Sequence, residues 1–576
     1  MSKKVKVEYD VDNIMTKNQK KKNKQEKKQL KTSGGGGRFG VANVVALGIV
    51  AVLEGLFYYF VTPPINIHVA GFWIWLAITV FAVLMCFLDY KSNNFQFAGS
   101  KSGKSHFAGR VFGILLAICV GVPVIGGIVS SPIFNSGKYA SIIELTEGDF
   151  SVDVPQSETV ENIALMDTES ARIIGNRAIG SLVDVVSQYQ VSEDYSTIDY
   201  NGVPMKVASL EYAGFFKYMN NRNNGIPGYV LVDPVKNEAK YVKLQKPMMY
   251  ATSACFNQNL QRHVQLSYPM YQFYGYYFEL DNDGNPYYIC PVLEPNAGLF
   301  GAKDVKGVVI CDPCSGDCEY KDVADVPNWV DRVYDGDLAT QKYNWYGNLS
   351  GGYINSLFGN KGCKITTDDY GYKVMDGDVW VYTGVTSVNG DQSNIGFVLM
   401  NSRTGESKYF SIAGAEEHSA MSSAEGQVQN LGYVASFPSL ININDVPTYI
   451  LVLKDNAGLV KMYALVNVEK YNIVATGKTQ KEALGNYKKL LAENGAIDNT
   501  EVATEDMPSK RITVADIKYI EIEDECFVYI TDKNGNVYKQ AFAENESLIF
   551  IQEEDVITVT YMEAENGIHS LIRYEK

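Results

Sequence analysis

The sequence predicts a membrane-anchored α+β protein with three parts: three N-terminal transmembrane helices, a duplicated extracytoplasmic region rich in β-hairpins, and a small C-terminal β-barrel of OB-like or SH3-like type. Three observations predict this fold class. Three apolar stretches lie between residues 41 and 129, and a hairpin pattern recurs after them. Residues 511–576 hold short alternating strands with little helix, which is typical of a small barrel.

The 576 residues carry a net charge of −15 that is distributed unevenly. Residues 1–40 contain 12 Lys and Arg against 4 Asp and Glu, whereas residues 111–576 contain 35 against 60. The basic segment of residues 1–40 has no periodic apolar face and contains four consecutive glycines near its end. These features predict a solvated, disordered tail. This asymmetry excludes a simple cytosolic globule, and the apolar content of 46% excludes general disorder.

The three apolar stretches, residues 41–61, 71–88 and 111–129, are each near the length that spans a bilayer. Residues 89–110 carry four Lys and Arg, whereas the turn between the first two stretches carries none. The positive-inside rule therefore predicts a plasma-membrane protein of bacterial type, with a cytoplasmic N-terminus and an extracytoplasmic C-terminal bulk.

Glu54 is the only carboxylate within the three stretches. Placing a carboxylate inside a membrane costs free energy, so Glu54 is a candidate for a role in ion or proton transport. Because Glu54 lies near the outer end of its stretch, helix packing or snorkelling explains it as well, and the sequence favours that explanation.

A hairpin pattern recurs at residues 228–241, 307–320 and 396–409. In each copy a Gly precedes an Asp or Asn by five residues, and a Tyr follows eight residues later. Gly228, Tyr241 and Gln261 also recur as Gly396, Tyr409 and Gln429 at one offset of 168. A fixed offset is the signature of internal duplication.

The predicted organisation follows from these patterns. It comprises a cytoplasmic tail (1–40), three transmembrane helices (41–131), α+β module one (132–325), α+β module two (326–500), a linker (501–510) and the small β-barrel (511–576).

Seven of the nine cysteines follow the apolar stretches, and the odd number argues against a complete disulfide framework. Cys311, Cys314 and Cys318 lie on one predicted hairpin. A cross-strand disulfide between Cys311 and Cys318 is possible, with Cys314 at the turn. Unpaired thiols and a metal site with Cys290 or Cys363 are the alternatives. Redox catalysis by Cys311 and Cys314 is less favoured, because no helix N-terminus is predicted beside them.

Tyrosine is abundant, with 39 residues. Tyr offers a large contact area with a polar tip, so a cluster of aromatic residues is a candidate binding surface. Packing within β-sheets is the alternative, and strand propensity favours it. The candidate surface comprises Tyr268, Tyr271, Tyr274, Tyr276, Trp345 and Tyr346.

Motifs of known catalytic chemistry are missing from the sequence. His263, His418 and His569 stand alone, and no HExxH, GxSxG or SxxK pattern occurs in the predicted ectodomain. The DNDGN run at 281–285 lacks the ligands of a calcium loop and predicts a tight turn. We therefore expect no catalytic, cofactor or metal residues.

The sequence thus predicts a non-enzymatic cell-envelope protein whose repeat modules bind another envelope protein or a glycan. Two alternatives are an extracytoplasmic sensor that signals through its helices and a thiol- or metal-dependent envelope enzyme. The bilayer is the expected partner of the apolar stretches. The basic tail is a candidate for contact with anionic lipids, and no nucleic acid is expected.

Overall fold

The computed structural model describes residues 41–87, 102–157, 160, 163–388, 393–497, 508–522, 525–562 and 567–576. It is a mixed α+β structure with two compact units. Unit 1 holds the chain up to residue 131 together with the segments 268–272 and 298–300, and unit 2 holds the rest. The predicted tail and most of the predicted linker lie outside the described residues.

Unit 1 contains a helix in each of the three apolar stretches: α1 (Val41–Val61), α2 (Ala70–Cys86) and α3 (Ser102–Val129). By length and composition, α1 and the part of α3 from Arg110 to Val129 could cross a membrane. Helix α2 has only 17 residues, so the structure supports two of the three predicted spans. In the apolar 18-residue segment of α1 no residue is buried, and in that of α3 only 6% are buried. The core helix of a soluble protein would instead be mostly buried.

The two short segments of unit 1 are held by hydrogen bonds to residues near the helix ends. Ile65 donates its backbone N–H to the carbonyl oxygen of Pro269 at 2.8 Å. The Oγ atom of Ser130, just after α3, accepts from the backbone N–H groups of Leu299 and Phe300 at 2.7 and 3.0 Å. These segments are therefore part of unit 1 although they are distant in sequence.

Unit 2 contains four mainly antiparallel sheets, and the same arrangement of five strands is present in each of them. Sheet one has β2 (Tyr189–Val191), β3 (Ser196–Tyr200), β4 (Val203–Tyr212), β5 (Ile226–Asp233) and β6 (Glu238–Met248). Sheet two has β7 (Gln272–Phe273), β8 (Tyr277–Leu280), β9 (Pro286–Ala297), β10 (Gly301–Cys311) and β11 (Cys318–Asp322). Sheet three has β12 (Lys364–Thr366), β13 (Gly371–Met375), β14 (Asp378–Ser387), β16 (Gly396–Asn401) and β17 (Ser407–Phe410). Sheet four has β19 (Val434–Ala435), β20 (Ser439–Ile443), β21 (Val446–Lys454), β22 (Val460–Asn467) and β23 (Val474–Gly477).

All four sheets share one strand order: the first two strands both pair with the third, and the fourth and fifth follow it. A helix precedes each sheet in the chain: α6 (Thr168–Gly180), α9 (Leu260–Ser267), α10 (Gly336–Leu349) and α11 (Glu417–Gln427). The sequence pattern predicted a unit repeated twice, and the observed topology recurs four times. The origin of the repeat by duplication stays a prediction.

The remaining elements of unit 2 are short or lie at its ends. Strand β1 (Leu145–Glu147) pairs in parallel with β17, and β15 (Ser393–Asn394) pairs with β18 (Gly414–Ala415). The further helices are α4 (Pro132–Ala140), α5 (Phe150–Asp153), α7 (Val183–Val186), α8 (Phe215–Asn221) and α12 (Gln480–Glu493).

The three recurring hairpins of the sequence pattern are present with the predicted turn positions. Residues on either side of the turn pair as Val232 with Ala239, Cys311 with Cys318, and Met400 with Ser407. The DNDGN run is a tight turn in which Asp281 Oδ1 accepts from the backbone N–H groups of Asp283 and Asn285. This confirms both predictions.

The C-terminal strands are β24 (Ser509–Ile522), β25 (Glu525–Asp532), β26 (Val537–Ala541), β27 (Val556–Met562) and β28 (Ile568–Glu575). They pair in the order β24-β25-β26-β28-β27, with β26 parallel to β28, and β27 pairs back with β24. Buried Val514, Ile530 and Ile557 lie in the core between them. A β-rich end of the chain is confirmed, and its OB-like or SH3-like type stays a prediction.

Candidate binding cleft and thiol cluster

A cavity of about 900 Å³ in unit 2, called the cleft below, is lined by residues from all four sheets. Lys206 comes from β4, Tyr277 from β8, Tyr372 from β13 and Ser439 from β20. A volume of this size suits a small molecule or a short segment of a polymer. The four sheets together therefore form one candidate site.

Aromatic side chains make up much of the cleft wall. Tyr277 donates its hydroxyl to Asp335 Oδ2 at 2.8 Å, and Tyr370 donates to Asp337 Oδ1 at 3.0 Å. The hydroxyl of Tyr195 is buried and has no hydrogen-bond partner among the described residues. The aromatic residues of the cleft are Tyr195, Tyr274, Tyr276, Tyr277, Tyr288, Tyr370, Tyr372, Tyr382, Phe278 and Phe437.

Lys206 is a buried cation in the cleft. It lies in the middle of β4, where residues 206–210 are all buried. Its Nζ donates to Thr197 Oγ1 at 3.1 Å, and burial lowers its pKa to about 8. Because that value is above neutral pH, the side chain is mostly protonated there.

Arg332 is the second cation of the cleft and is half-buried. Its guanidinium lies 4.1 Å from the ring centroid of Tyr277 and 5.6 Å from that of Tyr372. Its backbone N–H donates to Glu279 Oε1 at 2.9 Å, which fixes the segment against sheet two. Its Nε atom is buried without a hydrogen-bond partner among the described residues.

Carboxylates act on these cations from beyond ion-pair distance. Burial would lower the pKa of Arg332, but Tyr372, Tyr277 and Asp335 raise it, and Asp167 partly offsets the effect of burial on the pKa of Lys206. Within the described residues, neither Lys206 nor Arg332 has a carboxylate oxygen within 4.0 Å. Asp167 caps α6 by accepting from Ser170 N and pairs with Lys454 at 2.6 Å. Burial alone would raise the pKa of Asp167, but these contacts outweigh burial and lower it. The remaining acidic side chains are half-buried or exposed: Glu193, Asp194, Glu211 and Asp369.

A cluster of sulfur and imidazole groups lies at the turn between β10 and β11. Cys311 and Cys318 are directly opposed across the ladder, and their Sγ atoms are 2.9 Å apart. His263 of α9 places its Nε2 atom 2.7 Å from the carbonyl oxygen of Gly316. One ring or sulfur atom from each of the three residues lies within 4.8 Å of the others. We call these residues the thiol cluster.

The three thiols of this hairpin differ in environment. The hydrogen bond between Cys311 and Cys318, together with His263, lowers the pKa of Cys318 to about 6 against the effect of burial. The hydrogen bond to Cys318 and burial raise the pKa of Cys311, and burial raises that of Cys314 to about 12. Cys318 is therefore the thiol that ionises most readily.

Of the other cysteines considered for a metal site, Cys290 interacts electrostatically with Cys311 and Cys318. Cys290 is fully buried in β9, with its Sγ 3.8 Å from the carbonyl oxygen of Tyr288. Cys363 contacts the carbonyl oxygen of Asn348 at 3.5 Å. Among the described residues, the group that could hold a metal ion consists of His263, Cys311 and Cys318. Neither Cys290 nor Cys363 belongs to it.

The six residues of the predicted aromatic surface lie in three places. Tyr274 and Tyr276 line the cleft. Tyr268 and Tyr271 belong to unit 1, where their rings stack with centroids 5.3 Å apart. Trp345 and Tyr346 of α10 are half-buried and pack against the core of unit 2.

Glu54 lies between two helices of unit 1. Its carboxylate accepts from Trp75 Nε1 at 2.8 Å and from Thr79 Oγ1 at 3.0 Å. Both donors belong to α2, so the side chain joins α1 to α2. This geometry supports the helix-packing explanation of Glu54.

Sequence reasoning missed Lys206, Arg332, Tyr370 and Tyr372 in the cleft and the partnership of His263 with the thiols. Only Lys206 gave a usable signal, because it interrupts a run of mostly apolar residues in a predicted strand. The others come together through tertiary contacts between segments that are more than 30 residues apart.

The chain matches no protein-family model, and no curated protein sequence matches it. Function is therefore to be inferred from the chemistry of the cleft and the thiol cluster.

Proposed function

We propose that the protein is a non-enzymatic, membrane-anchored protein of a bacterial-type cell envelope whose cleft binds another envelope component. In this proposal three helices anchor the chain, the basic tail is cytoplasmic, and unit 2 is extracytoplasmic. The apolar, exposed surfaces of α1 and α3 support anchoring. The charge difference between the tail and the C-terminal bulk supports the orientation.

The single observation that carries the binding function is a pair of cations in an aromatic cleft, buried Lys206 and half-buried Arg332, neither of which has a described carboxylate oxygen within 4.0 Å. Burying a charge is costly unless a counter-charge compensates it, so Lys206 and Arg332 favour a ligand that supplies anionic groups. Tyrosine rings stack on sugar rings and offer hydroxyl groups to them. An acidic glycan combines both properties, and we favour it over an envelope protein as the ligand.

The test is calorimetric titration of the detergent-solubilised full chain with uronic acid oligosaccharides and with neutral oligosaccharides of equal length. We expect binding of the acidic series only. Arg332→Gln should weaken it at least about tenfold, which corresponds to roughly 1.4 kcal/mol, the lower range of a charge-assisted hydrogen bond. Arg332→Lys, which retains the charge without the planar group, should give an intermediate affinity.

Lys461→Gln is the matched control, because Lys461 is an exposed lysine paired with Asp455 outside the cleft. Its affinity should equal that of the unmodified protein. Equal binding of acidic and neutral oligosaccharides, or an Arg332→Gln affinity equal to that of the control, would contradict the proposal.

We further propose that residues 511–576 form a barrel of OB-like rather than SH3-like type. The strand order, in which the third strand is parallel to the fifth and the first pairs with the second and fourth, supports this assignment. The sensor hypothesis has one supporting contact: the Glu54 carboxylate joins α1 to α2, so movement of one helix would affect the other.

A further inference from the structure

We propose that Cys311 and Cys318 form a reversible dithiol–disulfide pair that exchanges with disulfide-containing molecules, with the Cys318 thiolate as the attacking group. This inference concerns the thiol cluster and does not depend on ligand binding in the cleft.

The first argument is the position of the two cysteines in the ladder. Asp312 donates its backbone N–H to the carbonyl oxygen of Asp317 at 2.8 Å, so these two residues form a hydrogen-bonded pair. Since hydrogen-bonded and non-hydrogen-bonded pairs alternate, Cys311 and Cys318 occupy a non-hydrogen-bonded pair with Cα atoms roughly 4.5 Å apart. That separation lies within the range of disulfides, so the bond forms without movement of the strands.

The second argument is the division of roles between the two thiols. Cys318 is half-buried and lies beside His263, whereas Cys311 is completely buried. An accessible thiolate next to an imidazolium is the usual attacking group, and a buried neighbour suits the resolving step. Cys314 is a poor attacker, because burial and, after it, Asp312 favour its protonated form.

The exchange conserves atoms and electrons. The Cys318 thiolate attacks one sulfur of the incoming disulfide, forms a mixed disulfide and releases the first thiolate. Cys311 then transfers its proton to solvent or to that thiolate, and its sulfur attacks the sulfur of Cys318. The second thiolate leaves, so the two cysteines lose two electrons and the incoming disulfide gains them.

A zinc site is the competing explanation for the same residues. Two sulfurs bound to a tetrahedral zinc at about 2.3 Å lie roughly 3.8 Å apart. The observed Sγ separation of 2.9 Å is shorter than that, and Nε2 of His263 already contacts the carbonyl oxygen of Gly316. The opposed positions in the ladder permit the disulfide, and the Zn²⁺ arm of the experiment below separates the two explanations.

The turn between β10 and β11 also packs against neighbouring segments. The carbonyl oxygen of Pro313 accepts from the backbone N–H groups of Met249 and Tyr250 at 2.8 and 3.0 Å. The ring of Tyr250 lies 4.1 Å from that of His263, between centroids. Oxidation removes the negative charge of Cys318 that faces His263, so it weakens one contact between the turn and α9.

The experiment uses the full chain in detergent, reduced and then equilibrated in glutathione buffers of graded oxidation. Thiols are blocked by alkylation, and peptides are mapped by mass spectrometry. We expect one intramolecular bond, between Cys311 and Cys318, that dithiothreitol reverses. In the reduced protein, alkylation of Cys318 should reach half its maximal rate near pH 6.

Two variants sharpen the test. His263→Gln should slow alkylation of Cys318 at pH 6 and move its midpoint to higher pH, with Cys526→Ser as a control that changes neither. A bond between Cys311 and Cys314, or no intramolecular bond in the most oxidising buffer, would overturn the proposal. Stoichiometric Zn²⁺ that protects all three side chains of the reduced cluster and prevents their oxidation would identify a metal site instead.

Discussion

Glu279 is a fully buried carboxyl group near the cleft. It accepts backbone N–H groups from Asp331 and Arg332 at 2.9 Å, and burial raises its pKa to about 7. Burial, together with Glu279, also raises the pKa of its neighbour Asp331, which accepts from the backbone N–H of Asp199. The pair therefore holds protons in the folded state that the unfolded chain releases at lower pH.

This difference makes stability depend on pH. Because the pKa of Glu279 is higher in the folded state, its contribution is present below pH 4.5 and is lost as pH rises through about 7. The shift corresponds to about 3 kcal/mol at most. We expect the urea midpoint to fall between pH 5 and 8, and Glu279→Gln to reduce that fall.

The control for Glu279 is Glu294→Gln, which removes an exposed carboxylate paired with Lys306. This variant should retain the pH profile of the unmodified protein. If the profile of Glu279→Gln were parallel to that of the control, the buried carboxyl would not be the source of the pH dependence.

At the residue scale, the spacing of residues in the sequence predicts the hairpins of the fold, but it places only some of the residues of the cleft and the thiol cluster. The opposed positions of Cys311 and Cys318 follow from the turn length of the hairpin, which is local information. His263 and Arg332 reach their sites through contacts between distant segments, for which one sequence contains no signal. Their roles therefore required the structure.

At the element scale, the recurring Gly and Tyr of the three hairpins form a packing pair. A Cβ atom on Gly228, Gly307 or Gly396 would lie less than 3.0 Å from both a carbonyl oxygen and the ring of the Tyr that ends its hairpin. The Tyr ring therefore covers the glycine of the neighbouring strand. This contact explains why both residues recur at a fixed spacing.

We expect Gly396→Ala to destabilise unit 2 by about 1–3 kcal/mol, because the added methyl group overpacks sheet three. Gly426→Ala is the matched control, because a Cβ atom at this helical position has nothing within 4 Å. It should stabilise by about 0.5–1 kcal/mol through helix propensity. Chemical denaturation measures both, and equal effects of the two substitutions would refute the packing role.

The sequence predicts the hairpins of the four sheets but not the complete strand order that the sheets share. The hairpins were recognised from their turns and alternation, but the first strands β7 and β19 have only two residues each. Two residues contain no alternation, so these strands are defined only by their partners. The short strands therefore needed tertiary information.

At the scale of the molecule, the first residues of unit 2 are bound to its later sheets. Strand β1 pairs with β17 of sheet three, and Gln156 bridges to Asn442 of sheet four. Lys454 of sheet four then pairs with Asp167 at 2.6 Å. These contacts join parts of the chain that are more than 250 residues apart.

Lys454→Met should destabilise unit 2 by about 2 kcal/mol, since it leaves the partly buried carboxylate of Asp167 without its cation. Lys461→Met removes a more exposed pair with Asp455 and should cost less than about 1 kcal/mol. Denaturation of both variants under one condition tests the difference. If both substitutions lowered the free energy of unfolding equally, the pair of Lys454 with Asp167 would make no special contribution to the stability of unit 2.

The path of the chain through these contacts determines where unit 2 can be divided. After residue 131 the chain meets α10 through α4, sheet three through β1 and sheet four at residues 156 and 167, and only then enters sheet one. Sheets three and four therefore contact β1 and Asp167, which lie before sheet one in the chain. A cut in the chain between Asp167 and sheet one would separate sheets three and four covalently from these partners.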